Sequence, residues 1–180
     1  GPPGAATKPM TRRRRAAITG LGMVTPVGND APTTWRNLIA GRSGIGPIRG
    51  FDSRGFSTRV GGEVKDFNGP SAGVDRKLLK FALPAHRFAL AAAAEALRDA
   101  GLRPEQATAH RWGLSVGAGM MGVTFDEVKT LHVHCGREGE FIPDNLLGSG
   151  FPADPVAFCR SQANTGLALL TRQFGIAGYA

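Results

Sequence analysis

Apolar positions along the chain follow two different spacings, and each spacing predicts its own kind of element. Residues 16–19 form a short apolar run of the β type, and a glycine-rich turn follows through Gly28. Asn29 or Asp30 can then cap a helix over residues 33–40, which Gly41 ends. Residues 42–73 are rich in Gly, Ser, Pro and Arg and read as a long irregular excursion, with a short strand at 59–65. The clearest helical spacing lies in residues 75–100, where Leu78, Leu79, Ala82 and Leu83 are followed by Phe88, Leu90, Ala91, Ala94 and Leu97. Pro84 has no N–H to donate and should kink or split that helix, and Gly101 stops it. Its alanine run, 91–94, predicts a helix lying close against a sheet.

Residues 111–117 read as the next strand, with a turn and a helix over 125–134 after it. Residues 136–161 are loop-like, interrupted by Pro143, Gly148, Gly150, Pro152 and Pro155. A final helix runs near 162–174, Gly175 ends it, and 176–180 begin a further strand. Strands alternating with helices predict a layered α/β domain without internal repeats. A unit that stops as a strand starts reads as incomplete. The last helix and the stub after it should therefore show apolar faces that nothing in this chain covers.

Composition narrows the function classes. With 42% hydrophobic and 20% charged residues in 180, the chain has a globular balance and enough length for one sizeable core. Of the formal net charge of +8, five charges come from Lys8 and Arg12–Arg15, so the rest carries a mild excess of +3. The basic run sits on the N-terminal end, where residues 1–10 read as a loose leader, and not on a stripe within the fold. Nucleic acid is therefore not an expected partner. The apolar stretch after Arg15 is short, broken by Gly20 and Gly22 and closed by Pro26, which excludes a signal peptide. No run approaches the ~18 apolar residues of a membrane span. Two cysteines make no disulfide framework, and a soluble cytoplasmic protein is the plain expectation.

Several patterns raise questions of chemistry. Gly117, Gly119 and Gly122 match G-x-G-x-x-G between a strand and a helix, the context of a dinucleotide site. The acids about 20 residues on, Glu138 and Glu140, lie in a loop and not at the end of a second strand. The pattern reads better as a glycine turn beside a substrate pocket. His132, His134 and Cys135 offer three ligand types in four residues, but a helix sets the two imidazoles about 200° apart. They read as an ordinary helix end, where His is favourable near the last carbonyls. Cys135 then sits where the helix dipole opposes a thiolate. Cys159 lacks an evident histidine partner, so neither cysteine has the setting of a nucleophile. Arg76, Lys77 and Lys80 are either a solvated face or a docking patch for an acidic partner.

Taken in order, five stretches resemble the elongating β-ketoacyl-[acyl-carrier-protein] synthases. They are the first strand and turn at 17–29, the helix and loop at 35–45, Phe51-Asp52, the helix at 89–102, and the turn 117–122. The resemblance covers residues 11–180 and implies a thiolase-like layered α/β fold, of which this chain is the N-terminal βαβαβαβ half with a mixed sheet. It implies decarboxylative condensation of an acyl chain with a malonyl unit, both carried on the phosphopantetheine of a carrier protein, with no bound cofactor, in a dimeric enzyme. It also implies that the cysteine nucleophile, at a buried helix N-terminus, and the two histidines all lie beyond residue 180. This chain then carries no catalytic residue and works with a C-terminal half or a second subunit. In the same terms Met120, Met121, Phe141 and Ile142 would line the acyl pocket, the methionines adapting to the chain or simply filling space. Arg76, Lys77 and Lys80 would meet the acidic carrier protein. Two other readings remain: a non-catalytic partner resembling a chain-length factor, and a nucleotide-binding module built on the turn 117–122.

Overall fold

The computed structural model describes residues 15–68, 75–119, 122–148 and 150–179. Helix α1 (Ala31–Ile39) starts where the sequence places its cap: the Asp30 carboxylate accepts the Thr33 N–H at 2.6 Å. Its one buried side chain is Thr34, whose hydroxyl donates to the Gly28 carbonyl at 3.2 Å and so closes the preceding turn. The excursion that follows contains one two-residue ladder, β1 (Gly46–Pro47) antiparallel to β2 (Val60–Gly61).

Pro84 splits the long helical segment as its chemistry requires. Helix α2 (Arg76–Leu79) is a single turn, and α3 (Pro84–Asp99) begins with Pro84 in the first turn, where a missing N–H costs nothing. Gly101, at φ +64°, ends the helix.

Helix α3 is the scaffold of the chain, and it packs on two faces. On one, Gly20 and Gly22 lie so close to the carbonyls of Ala96 and Ala92 that neither position has room for a Cβ. Two residues along the first run thus match one turn along the helix. On the other face, buried Leu90 meets buried Leu170, with Leu114, Val116 and Phe174 packed around them.

The expected strand at 16–19 is not formed. A ladder needs a neighbouring strand, and the N–H groups of Leu21 and Met23, just downstream, go instead to the carboxylates of Asp99 and Glu95, both at 2.9 Å. Residues 111–117 keep a strand's period of two, with Trp112, Leu114 and Val116 half-buried and the residues between them exposed, but they too form no ladder. They follow a 3-10 turn (Ala109–Arg111), and two hydrogen bonds tie them to the C-terminal stub, Leu114 N–H to the Tyr179 carbonyl at 2.8 Å and Ala177 N–H to the Ala109 carbonyl at 3.1 Å. The stub at 176–179 is likewise no strand. The mixed sheet is therefore not built by the described residues.

The segment expected as loop, 136–161, is more ordered than its Gly and Pro content implies. Helix α4 (Phe125–Cys135) runs into a hairpin of β3 (Gly136–Arg137) and β4 (Glu140–Phe141). Its two-residue turn has Glu138 at φ +52° and Gly139 at φ +89°, both left-handed as a tight hairpin demands. A 3-10 turn (Pro143–Leu146) and helix α5 (Pro155–Ser161) complete it, and α6 (Thr165–Phe174) ends on Gly175 at φ +66°.

The last helix is better covered than its sequence predicts. Leu169 and Leu170 are buried, packed on α2 and α3, so the bare face is not on α6. Apolar exposure lies elsewhere. Among the described residues seven hydrophobic side chains are buried, whereas eighteen large ones are more than a third exposed, including Ile18, Trp35, Leu38, Ile39 and Tyr179.

Glu95 holds three elements together. One of its oxygens accepts the Met23 N–H and the other the Ala31 N–H, each at 2.9 Å, joining the first run and the start of α1 to α3. Glu95→Gln offers a single acceptor oxygen for two donors. The expected loss is about 1–3 kcal/mol in urea denaturation, with faster hydrogen exchange at the Met23 and Ala31 amides.

Candidate functional site

A concavity with a largely apolar wall starts at the N-terminus of α4. Thr124 and Glu127 form a reciprocal cap: the Thr124 hydroxyl accepts the Glu127 N–H at 3.2 Å, and the Glu127 carboxylate accepts the Thr124 N–H at 2.6 Å. Next to the cap, Phe125 stacks on Phe51 with ring centres 4.8 Å apart, and Phe56 stands edge-on to both. This clamps the 51–56 loop to the helix start.

From there a cleft of about 690 Å³ opens between α4, the 146–154 segment and α5. Its apolar wall includes Val123, Leu131, Leu146, Phe151 and Phe158. Polar side chains share the lining, among them Asp126, Thr130 and Asp154, and one pair is built in. The Arg160 Nε donates to Glu127 Oε1 at 3.1 Å and Arg160 Nη2 donates to the same oxygen, with side chains only 25% and 21% exposed. The pair pins α5 to α4 across 33 residues of sequence.

Partial burial pushes the Glu127 carboxyl up. The Thr124 N–H, the Arg160 guanidinium and the Thr124 hydroxyl outweigh that and hold it below its ordinary 4.5. An unfolded chain takes up this proton at the ordinary value, the folded chain only at lower pH. The pair's contribution is therefore whole above pH 4.5, shrinks as pH falls, and is gone once the folded carboxyl is protonated. The stability gap between the wild type and Glu127→Gln is expected at about 1 kcal/mol near neutral pH. It should close as urea denaturation is repeated at progressively lower pH below 4.5.

The residues singled out from sequence fall in different places. Met120 and Met121 lie outside the described residues. Around them, Gly122 sits against the Leu83 side chain, while Gly117 and Gly119 face open space. Phe141 and Ile142 are at the other end of α4 and do not line the cleft. Ile142 N–H donates to the Cys135 carbonyl at 2.7 Å, and Phe141 is 55% exposed beside a separate hollow of about 270 Å³. Arg76, Lys77 and Lys80 are all exposed on or beside α2. Lys77 borders a groove of about 410 Å³ shared with Phe81, Cys159, Leu169 and Arg172. Lys80 Nζ lies 5.0 Å from the Phe81 ring centre.

His132 and His134 do occupy the last turn of α4, where His134 Nδ1 lies 2.9 Å from the Thr130 carbonyl oxygen. The described residues hold no cluster suited to a metal ion. Cys135 is fully buried and Cys159 exposed.

Three residues escape a reading of the sequence alone. The Thr124-x-x-Glu127 spacing is a legible capping signature and could have flagged Glu127. Arg160 has no local signal, because its partner is 33 residues away. His86 begins α3 with Nδ1 accepting the Leu83 N–H at 3.2 Å, its ring against Gly166 of α6. Burial lowers its affinity for a proton, opposed by a hydrogen bond to the Phe81 backbone. No described helix is long and apolar enough to cross a membrane.

Residues 13–149 match the family model described as the N-terminal domain of β-ketoacyl synthases. The 3-oxoacyl-[acyl-carrier-protein] synthase 2 of Coxiella burnetii is 38% identical over 115 residues, covering 64% of this chain and 28% of that protein. The protein of the same description from Synechocystis sp. is 40% identical over 111 residues, covering 62% of this chain and 26% of its own length. Among solved structures, the ishigamide ketosynthase/chain length factor superposes with a TM-score of 0.65 at 27% identity, over 90% of this chain and 37% of that one. The chain thus spans little more than a quarter of the length of these curated relatives.

Proposed function

The chain belongs to the β-ketoacyl synthase family, and from that premise we propose that it is the N-terminal part of a ketosynthase that condenses an acyl chain with a malonyl unit. Its likeness to a solved ketosynthase implies a thiolase-like α/β fold. The observation that carries the functional reading is the cleft of about 690 Å³, whose lining begins at Val123. Its size lies within the ~300–1,000 Å³ of small-ligand pockets, and its walls suit an acyl chain. In this reading the cleft holds the acyl chain, and Phe141 and Ile142 belong to a dimer boundary. No cofactor is needed, because the substrates arrive on the phosphopantetheine of a carrier protein. Lys77, with Arg76 and Lys80 beside it, offers the exposed cations that an acidic carrier would meet.

The nucleophile comes from outside these 180 residues. Cys135 is fully buried and Cys159 has no basic partner bonded to it among the described residues, so neither suits a thiolate role. The eighteen exposed large hydrophobics support a second half or subunit as cover. The α4–α5 cleft would then close against that partner.

A second reading is favoured by one finding, since one of the matching solved structures is described as the ishigamide ketosynthase/chain length factor. In that reading the chain belongs to the non-catalytic member and only shapes the product. Intact-mass spectrometry of the protein purified with its covering polypeptide, after incubation with an acyl-carrier protein, separates the two. A cysteine of that polypeptide gaining the acyl mass is the expected result. A polypeptide that never acylates favours the chain-length-factor reading, and the absence of any covering polypeptide would overturn both.

A further inference from the structure

We propose that Arg160 is a specificity-determining residue of the α4–α5 cleft, selecting an uncharged acyl chain that bears an oxygen acceptor over a plain hydrocarbon chain. The inference rests on the acyl-binding reading above and adds the chemical class of the chain.

Three observations carry it. First, Arg160 lines the cleft and is held in place by Glu127. Glu127 Oε1 takes two of the guanidinium's N–H donors, which leaves three of the five an arginine carries. Those three have no hydrogen bond among the described residues. An arginine fixed by a carboxylate but not used up by it is a preorganised donor, and it loses little freedom in binding a ligand oxygen.

Second, the wall facing it is apolar, with Leu131, Leu146, Phe151 and Phe158. A carbonyl entering here finds Arg160 as the donor with N–H groups to spare, because the Thr130 and Ser161 hydroxyls already donate to the Asp126 and Phe158 carbonyls, and leaving it unpaired against such a wall would be unfavourable. A chain with nothing but methylenes fills the apolar part equally well but leaves the guanidinium without a new partner.

Third, the charge balance sets the sign of the ligand. Asp126, Glu127 and Asp154 line the same cleft against the single cation Arg160. Three carboxylates against one guanidinium repel an anion. A chain ending in a carboxylate is therefore disfavoured even though an arginine is present, whereas a neutral carbonyl or hydroxyl is not.

The test is equilibrium binding of three pantetheine thioesters of equal length to the purified protein: octanoyl, 7-oxo-octanoyl and the ω-carboxylate octanedioyl. The 7-oxo thioester is expected to bind on the order of tenfold tighter than the octanoyl one, the scale of one hydrogen bond to a charged group near solvent. The octanedioyl thioester should bind weakest. In R160M/E127Q the first preference disappears, both neutral chains binding within a factor of two of one another. The amide oxygen introduced by E127Q can still accept the Thr124 N–H, and neither replaced side chain leaves an unpaired ion behind. Should the variant fail to fold, the order of the three ligands on the wild type still decides. Octanoyl binding as tightly as 7-oxo-octanoyl would overturn the role of Arg160 while leaving the acyl-binding reading intact. Tightest binding of the octanedioyl thioester would overturn the neutral-ligand assignment. No binding of any thioester would sink the acyl-binding reading and this inference with it.

Discussion

Gly22→Val is expected to destabilise the chain by about 3 kcal/mol, at the upper end of what overpacking costs. The glycine's conformation is not the reason, since its φ is not among the left-handed ones. The reason is what stands in front of it. A Cβ at position 22 would overlap the carbonyl of Ala92, and one at position 20 the carbonyl of Ala96. These obstacles are helix backbone, not the ends of flexible side chains, so α3 itself must move. Moving it also strains the two hydrogen bonds from Met23 and Ala31 to Glu95. Gly41 provides the contrast: it sits at φ +66° with open space around it, so Gly41→Ala meets only backbone strain, about 1 kcal/mol. Urea midpoints of the two variants should differ accordingly. Equal midpoints would mean that the first run is not seated on α3 as described.

The same contact shows which parts of the fold the sequence makes legible. Helices declare themselves locally. Asp30 as cap, Pro84 as splitter, and Gly101 and Gly175 as stops are all readable, because each acts through its own dihedrals or its own hydrogen bond. Helix α4, expected at 125–134, runs from Phe125 to Cys135. Helix α5 is harder to see because Pro155 looks like a breaker, yet proline fits the first turn of a helix, and Asp154 caps it by accepting the Val156 N–H at 2.8 Å. The strands fare worst. Their signal is a period of two, which residues 111–117 do carry in their burial, but a strand exists only with a neighbour, and neighbours are chosen by the whole fold.

The cleft follows the same division. Its apolar lining, drawn from α4 and the segment after Leu146, cannot be assembled from spacing alone. Phe151 and Phe158 lie in what reads as loop, and they reach the cleft only because α5 folds back. The ion pair that folds it back joins residues 33 apart, a distance at which sequence carries no periodic signal. The family resemblance does supply the turn at 117–122 as the place to look. It assigns Phe141 and Ile142 to the pocket as well, and the hairpin keeps them at the far end of α4, away from this cleft.

Leu90→Ala should cost about 3–5 kcal/mol, because the site has little means of collapsing around the lost volume. Leu90 is fully buried and faces Leu170, with Leu114, Val116 and Phe174 closing the cluster around them. Deleting its isopropyl group removes the central contact of the cluster that joins α3 to α6 and to Leu114 and Val116. The loss is large against a total stability of about 5–15 kcal/mol, and the core has few other members to share it. Only seven hydrophobic side chains are buried among the described residues. Denaturation should therefore show a strongly lowered midpoint, with amide protection lost in α6 and at Leu114. Leu90→Met, which nearly conserves volume, is expected to cost less than about 1.5 kcal/mol. The position of the loss is informative for function as well. The Glu127–Arg160 pair lies outside this cluster, so the cleft should keep its own pH dependence in Leu90→Met while Leu90→Ala loses the frame that presents it. A small effect of Leu90→Ala on both stability and α6 protection would mean that cover from a partner, not this cluster, holds α3 and α6 together.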